Sequence, residues 1–269
     1  LIYVRGMTLP EVWQNAFIQL AHPRYERERI VIPTQYDGKD TPPSIDDTCL
    51  MYVEEPMTEP RIHMCIPGGW TDLQGYVEEV VDGSRDHLSR ELSYTYHDRL
   101  TNYKSVDSEI LESENEWSVT VVDQLRGVMD LLRRAPYSRR AQAITWIPGV
   151  DQVSNEPPCL QSIWCRVVTR DVGPALDMHV RFRSRDAYNG AFMNMYALTM
   201  LQSKMAEELG VNVGHYVDIS DSFHVYGNKL EEARRYVENM SKRMEERGGR
   251  SNFISTSNMR KMWETEEAG

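Results

Sequence analysis

Cysteine is scarce in this chain: its 269 residues include four, Cys49, Cys65, Cys159 and Cys165, and no two of them form a C-x-x-C pair. That is too few for a disulfide scaffold, so reduced thiols are expected, with one of them open to chemistry. Positive charge is also in short supply. Thirty Lys and Arg against 41 Asp and Glu leave a net charge of -11, which disfavours adhesion to nucleic acid or to an anionic membrane. A small anionic ligand would need a local cluster of arginines. Long apolar runs are missing and Leu1–Arg5 lacks the pattern of a secretory signal, so a cytoplasmic protein with no membrane or nucleic-acid partner is expected. Repeats and low-complexity tracts are absent as well. His63, His87, His97, His179 and His215 show no metal-ligand spacing with Cys or Asp, and no metal is assigned.

What is present is the composition of a folded chain, 41% hydrophobic, 26% charged and 9% aromatic. The length suits one domain over residues 1–269, with a charged segment from about 247 expected to be mobile. Thr8-Leu9-Pro10-Glu11 reads as a capping box, after which Trp13, Ala16, Phe17 and Leu20 recur at helical spacing. The pattern predicts a second helix over 72–81 that stops at Gly83, and a third over 121–132 that ends before Pro136. A long apolar helix over 192–209 closes at Gly210, and a last amphipathic one carries Leu230, Ala233, Val237 and Met240. Segments 143–147, 160–168, 176–182 and 214–219 have strand content, while 32–60 reads as loop around one apolar stretch at 49–53. Strands in the middle with helices before and after define an α+β chain rather than a regular βαβ winding.

Four separated segments carry chemistry. Pro157-Pro158-Cys159 places a thiol at the start of a predicted strand. Ser138-Arg139-Arg140 lies just before another strand, where arginines are less easily dismissed than the solvated pair Arg133-Arg134. Arg183-Ser184-Arg185-Asp186 is followed by Gly190 and Asn194, and His224 and Tyr226 face one side of a strand-like segment. A thiolate is the side-chain nucleophile best suited to adding to an electrophilic carbon once nearby positive charge lowers its pKa, and clustered guanidinium groups are the favoured receptors of phosphate. Cys49, Cys65 and Cys165 read instead as small buried hydrophobes, and Met193, Met195, Met200 and Met205 as core packing.

In order and spacing these segments resemble the thymidylate synthase family. Tyr76-Val77-Glu78-Glu79 and Tyr94-Thr95-Tyr96-His97-Asp98-Arg99-Leu100 resemble its shorter, archaeal-type branch. The resemblance implies a mixed sheet flanked by helices, with the sheet at a homodimer interface. It also implies one-carbon transfer from methylene-tetrahydrofolate, as co-substrate, to C5 of a pyrimidine nucleoside 5′-monophosphate. Cys159 is then the nucleophile, with Glu78, Tyr96 and Asn194 as further catalytic residues and Glu79 as the alternative carboxylate. Arg183 and Ser184 bind phosphate together with Arg139 and Arg140 from the partner subunit, and Asp186 supports folate or the ring. Asn194 meets the pyrimidine edge, and His224 and Tyr226 hold the sugar hydroxyl. The amide of Asn194 suits uracil in one orientation and cytosine in the other.

The departures from the family bear on the product. Leu160 follows Cys159 where the common synthases carry His, and Phe182 precedes Arg183 where they carry Gln. The phosphate-loop arginine is missing from Tyr36-Asp37-Gly38-Lys39-Asp40, where Lys39 or another residue would substitute, and Glu264–Gly269 is not an apolar closing tail. A tail that closes poorly admits water, so 5-hydroxymethylation is the expected outcome, 5-methylation of dUMP the alternative, and an inactive nucleotide- or RNA-binding relative the third.

Overall fold

The computed structural model describes residues 1–34, 41–64, 66, 68–89, 94–106 and 119–267. Its centre is a mixed sheet whose path runs β1 (Ile2–Gly6), β3 (Ser44–Val53), β11 (Asn212–Val225), β9 (Gly173–Phe182), β8 (Leu160–Arg170) and β7 (Gln142–Ile144). Strand β2 (Ile30–Ile32) adds to β3, and β10 (Arg185–Asp186) adds to β11. β9 and β11 run parallel, while β8 returns antiparallel to β9. The end of β9, the start of β8 and the last residues of β11 therefore lie at one end of the sheet. The candidate residues gather there.

One face of the sheet is packed under helices. In α1 (Leu9–Ala21), Leu9, Val12, Trp13, Ala16, Phe17 and Leu20 are buried, and Glu11 accepts from the Thr8 backbone at the helix start. Helix α5 (Ala191–Leu209) is the core helix, with Phe192, Met195, Tyr196, Leu198, Leu201 and Met205 buried, and it ends where Gly210 turns left-handed at φ 68°. Helix α2 (Trp70–Asp82), closed by Gly83 at φ 69°, packs on α5 through a narrower stripe centred on Leu73 and Val80. Helix α6 (Leu230–Arg247) buries Leu230, Ala233, Val237 and Met240. The opposite sheet face leaves Tyr52, Trp164, His179 and His215 half-buried. The α+β architecture is thus observed.

Several elements differ from the sequence pattern for identifiable reasons. β3 begins at Ser44, through Asp46-Asp47-Thr48, which reads as loop. Its acids tolerate burial because Arg29 pairs with Asp47 and Ser222 donates to Asp46. Val121 and Val122 leave the predicted helix and end strand β6 (Val119–Val122), paired with β5 (Tyr103–Val106). Helix α4 (Gln124–Arg134) starts only after Asp123, whose carboxylate accepts from the Arg126 amide. The charged segment expected to trail away from 247 instead supplies β12 (Phe253–Ile254), paired with β4 (Ile62–His63), and helix α7 (Thr256–Glu267). The Trp263 ring of α7 lies against Gly69, so closely that a Cβ there would meet it at 2.4 Å.

Candidate active site

Cys159 ends the Pro157-Pro158 turn that feeds β8, and the Arg183 amide closes on its carbonyl at 2.9 Å. The Arg183 side chain then folds back over the same turn: Nε donates to the Pro158 carbonyl at 3.1 Å and Nη2 to the Pro157 carbonyl at 2.6 Å. That leaves Nη2 3.8 Å from the Cys159 sulfur. One extra residue in β8, between Leu160 and Ser162, breaks the ladder beside the thiol, and Gln161 turns to donate to the Pro158 carbonyl at 2.7 Å. A bulge at this point bends the strand and re-aims the neighbouring side chain. Burial pushes the Cys159 thiol above its ordinary pKa, while Arg183 and then Arg185 work the other way.

Arg185 is itself buried under the site. It pairs with Asp218 of β11, donates to the Ala191 carbonyl at 2.9 Å and stands 4.0 Å over the Phe182 ring. Asp218 also accepts from the Tyr216 hydroxyl at 2.8 Å. The charge is therefore compensated, as a buried ion must be.

Two tyrosines stand on the Cys159 side of the site and a third holds Asn194. The Tyr96 hydroxyl accepts from the Leu160 amide at 3.4 Å, and the Tyr94 ring lies 5.7 Å from that of Tyr96. Helix α3 (Tyr96–Thr101) holds this pair: Thr95 caps it by accepting from the Asp98 amide, and buried Arg99 grips Asp151 with two bonds of 3.0 and 2.8 Å. The third, Tyr76 of α2, accepts at its hydroxyl from Asn194 Nδ2 at 2.5 Å. Burial raises all three phenols, so they stay neutral hydroxyls.

The other predicted residues fall in distinct places. Asn194 sits in the first turn of α5, with its amide on the Gly190 carbonyl. Asp186 accepts from the Tyr188 and Asn189 amides and from Asn189 Nδ2, tying the turn that precedes α5, and Ser184 is half-buried nearby in the chain. β10 pairs Asp186 with His224, which lies 4.7 Å from the Tyr226 ring, centroid to centroid. Arg139 and Arg140 are exposed on the segment after α4, where Trp164 Nε1 donates to the Arg139 carbonyl at 3.0 Å.

Glu78 does not join the cluster. On a helix it lies about 200° around from Tyr76, and it is exposed, whereas Glu79 is half-buried, lies on the Tyr76 side and has Arg85 at 3.5 Å. Burial raises the Glu79 carboxyl, with Arg85 opposing. Lys39 and Cys65 lie outside the described residues. Among the described residues no group of three or more metal-ligating side chains is present. The sequence motifs contain Tyr76 and Arg185 without assigning either a role, and Asp218 lies outside them. Tyr76 was legible only as the partner of Glu79 on the half-buried stripe of α2.

A mixed sheet carrying a thiol, a guanidinium and a tyrosine cluster at one end is the architecture of a class of one-carbon transferases. A family model described as thymidylate synthase matches residues 70–247. A Methanosarcina mazei protein named "Putative thymidylate synthase" is 31% identical over 193 residues, covering 71% of this chain and 78% of its own. A Methanopyrus kandleri protein of the same name is 25% identical over 245 residues, covering 85% and 95%. Thermostable thymidylate synthase A from Bacillus subtilis superposes with a TM-score of 0.60 over 86% of this chain and 84% of that one, at 18% identity, which speaks to the fold alone. The chain belongs to the thymidylate synthase family and is a one-carbon transferase. No helix among the described residues is long and apolar enough to cross a membrane.

Proposed function

We propose that the protein transfers a one-carbon unit to C5 of a pyrimidine nucleoside 5′-monophosphate through a covalent adduct at Cys159. The observation that carries this reading is Arg183, fixed on the Pro157 and Pro158 carbonyls with its charge 3.8 Å from the sulfur. Thiolate addition at C6 makes C5 nucleophilic; C5 bonds the folate-borne carbon, loses its proton as that carbon parts from the folate nitrogen, and the resulting C5 methylene takes up hydride from tetrahydrofolate (methyl product, dihydrofolate released) or water (hydroxymethyl product, tetrahydrofolate released) as the thiolate leaves C6. In this reading Arg183 and Ser184 meet the phosphate, Asn194 the base edge, and His224 and Tyr226 the sugar. Tyr96, whose hydroxyl takes the Leu160 amide next to Cys159, and Tyr94 offer hydroxyls for moving the C5 proton, and the carboxylate role falls to Glu79 rather than exposed Glu78.

Methylene-tetrahydrofolate, the co-substrate of the family, supplies the electrophilic carbon. Half-buried Asp186 fits it: its three donors leave carboxylate lone pairs for the N–H groups of a pterin. The names of the relatives support 5-methylation of dUMP as the first reading. The residues beside the thiol favour a second, 5-hydroxymethylation, because Leu160 and Phe182 stand where the methylating synthases carry His and Gln.

Release of tritium from C5 of labelled nucleotide, abolished in Cys159→Ala, tests the adduct; turnover retained in that variant rejects it. An inactive binding relative would release none. Side-by-side turnover of dUMP, dCMP, UMP and CMP assigns base and sugar, and a rise in dihydrofolate absorbance separates methyl from hydroxymethyl product.

A symmetric dimer with shared sites completes the reading. It is supported by exposed Arg139 and Arg140 and by the half-buried aromatic pairs Trp164–His179 and Tyr52–His215 on the open sheet face, at 4.9 and 5.1 Å. Mixing Cys159→Ala with Arg140→Ala subunits should restore activity, since one hybrid pocket is intact. Fully active monomer in sedimentation would contradict it.

A further inference from the structure

We propose that Asp46 and Ser222 set the tautomer of His224, keeping its ring proton on Nδ1 so that Nε2 is a bare acceptor for a sugar hydroxyl. The proposal rests on the nucleotide reading above, but its first test does not need a nucleotide. Antiparallel pairing of β3 with β11 sets Asp46 directly opposite His224, and the extra residue in β11 between Ser220 and Phe223 lies just before it. Ser222 precedes His224 by two residues, on the same face of the strand.

The direction of each hydrogen bond follows from what the groups are able to donate. Ser222 Oγ donates its one proton to Asp46 Oδ2 at 2.5 Å, because an ionised carboxylate only accepts. The same Oγ stands 3.3 Å from His224 Nδ1 and has only lone pairs left to offer it. The other neighbour of Nδ1 is the Ser222 carbonyl oxygen at 3.4 Å, again an acceptor. A ring nitrogen between two acceptors carries the proton. The imidazole is then left with its lone pair on Nε2, and Nε2 is a buried atom with no hydrogen-bond partner among the described residues. Buried polar groups are paired almost without exception, so a donor from outside the chain is the natural partner. A sugar hydroxyl gives its proton to this nitrogen, while a Nε2–H tautomer would need the hydroxyl oxygen instead. Asp46 and Ser222 are positioning residues in this arrangement: they act through His224.

The test is the nitrogen-15 spectrum of the histidines in the full chain, together with nucleotide binding. Wild type should show His224 protonated on Nδ1. Asp46→Asn supplies an amide donor to Ser222 and frees the hydroxyl to donate to Nδ1, so His224 should move to the Nε2–H form; Ser222→Ala, which keeps the residue-222 carbonyl facing Nδ1, and Ser222→Thr should both leave the proton on Nδ1. Asp46→Asn should bind dUMP about tenfold more weakly, the scale of one hydrogen bond, with unchanged affinity for 2′,3′-dideoxyuridine monophosphate. A wild-type Nε2–H tautomer, an unmoved tautomer in Asp46→Asn, or equal loss for both nucleotides overturns the proposal. Failure of wild type to bind any pyrimidine monophosphate sinks the nucleotide reading instead, and the spectrum still decides the tautomer.

Discussion

An ordinary thiol is only a few per cent thiolate at neutral pH, and Cys159 starts lower still, because burial raises its pKa before Arg183 and Arg185 pull it back. The nearer cation is Arg183, and its position depends on two backbone carbonyls rather than on an acid that would neutralise it. Its charge is therefore available to the sulfur. Arg183→Met should slow alkylation of Cys159 by iodoacetamide at least about tenfold at pH 7 and move the pH–rate curve upward. Arg183→Lys should fall between, since an ammonium cannot hold both carbonyls and face the sulfur. An unchanged alkylation rate in Arg183→Met would show that the thiol is tuned elsewhere. Tyr76 acts on geometry instead. Tyr76→Phe removes the acceptor of Asn194 Nδ2 and nothing else, so kcat/KM should drop about tenfold while stability changes by no more than about 1 kcal/mol.

Among the elements, the helices with a clean apolar period are the ones their residues specify locally. α1, α2 and α5 form where the pattern predicts, and the latter two stop at the glycines that take up a left-handed turn, Gly83 and Gly210. β3 is illegible for the opposite reason: Asp46 and Asp47 enter the sheet only because Ser222 and Arg29 come from elsewhere in the chain to meet them. The site divides in the same way. Cys159, Arg183, Asp186 and His224 are visible as short motifs, whereas Tyr76, Arg185, Asp218 and Ser222 gain meaning from strand register and helix packing, which no short window contains. Register also makes Gly214 critical. It lies in the irregular stretch of β11 between Val213 and Tyr216, and a Cβ there would stand 2.8 Å from the Leu176 carbonyl oxygen of β9 and 2.3 Å from an Asp177 carboxylate oxygen. Backbone at that distance cannot turn aside. Gly214→Ala should lower stability by about 1–3 kcal/mol, read as a shift in the urea midpoint with unchanged slope.

Across the whole molecule, segments distant in the chain are locked together around one buried histidine. His63 of β4 bonds Gln14 of α1 through Nε2 at 3.0 Å, lies edge-on to Trp13 at 4.9 Å and faces Phe253 of β12 at 5.7 Å. Gln14 Oε1 accepts from Asn252 as well, at 2.7 Å, so helix, strand and C-terminal segment share one acceptor. Burial, with Arg243 adding repulsion, pushes the His63 pKa down to about 3 from its ordinary 6.5. The folded chain therefore keeps this ring neutral where the unfolded chain takes up a proton. Below pH 6.5 the unfolded state binds the extra proton, so the stability present above that pH is lost as pH falls toward 3, by about 1.4 kcal/mol per unit. Carboxylates also titrate at the acid end, and the difference between two proteins removes them. His63→Gln keeps a donor for Gln14 and has nothing to protonate; between pH 7 and pH 5 it should lose about 2 kcal/mol less than wild type in urea unfolding. Parallel losses in the two proteins would mean that His63 is protonated in the folded chain, and that the junction of α1, β4 and β12 is open to water.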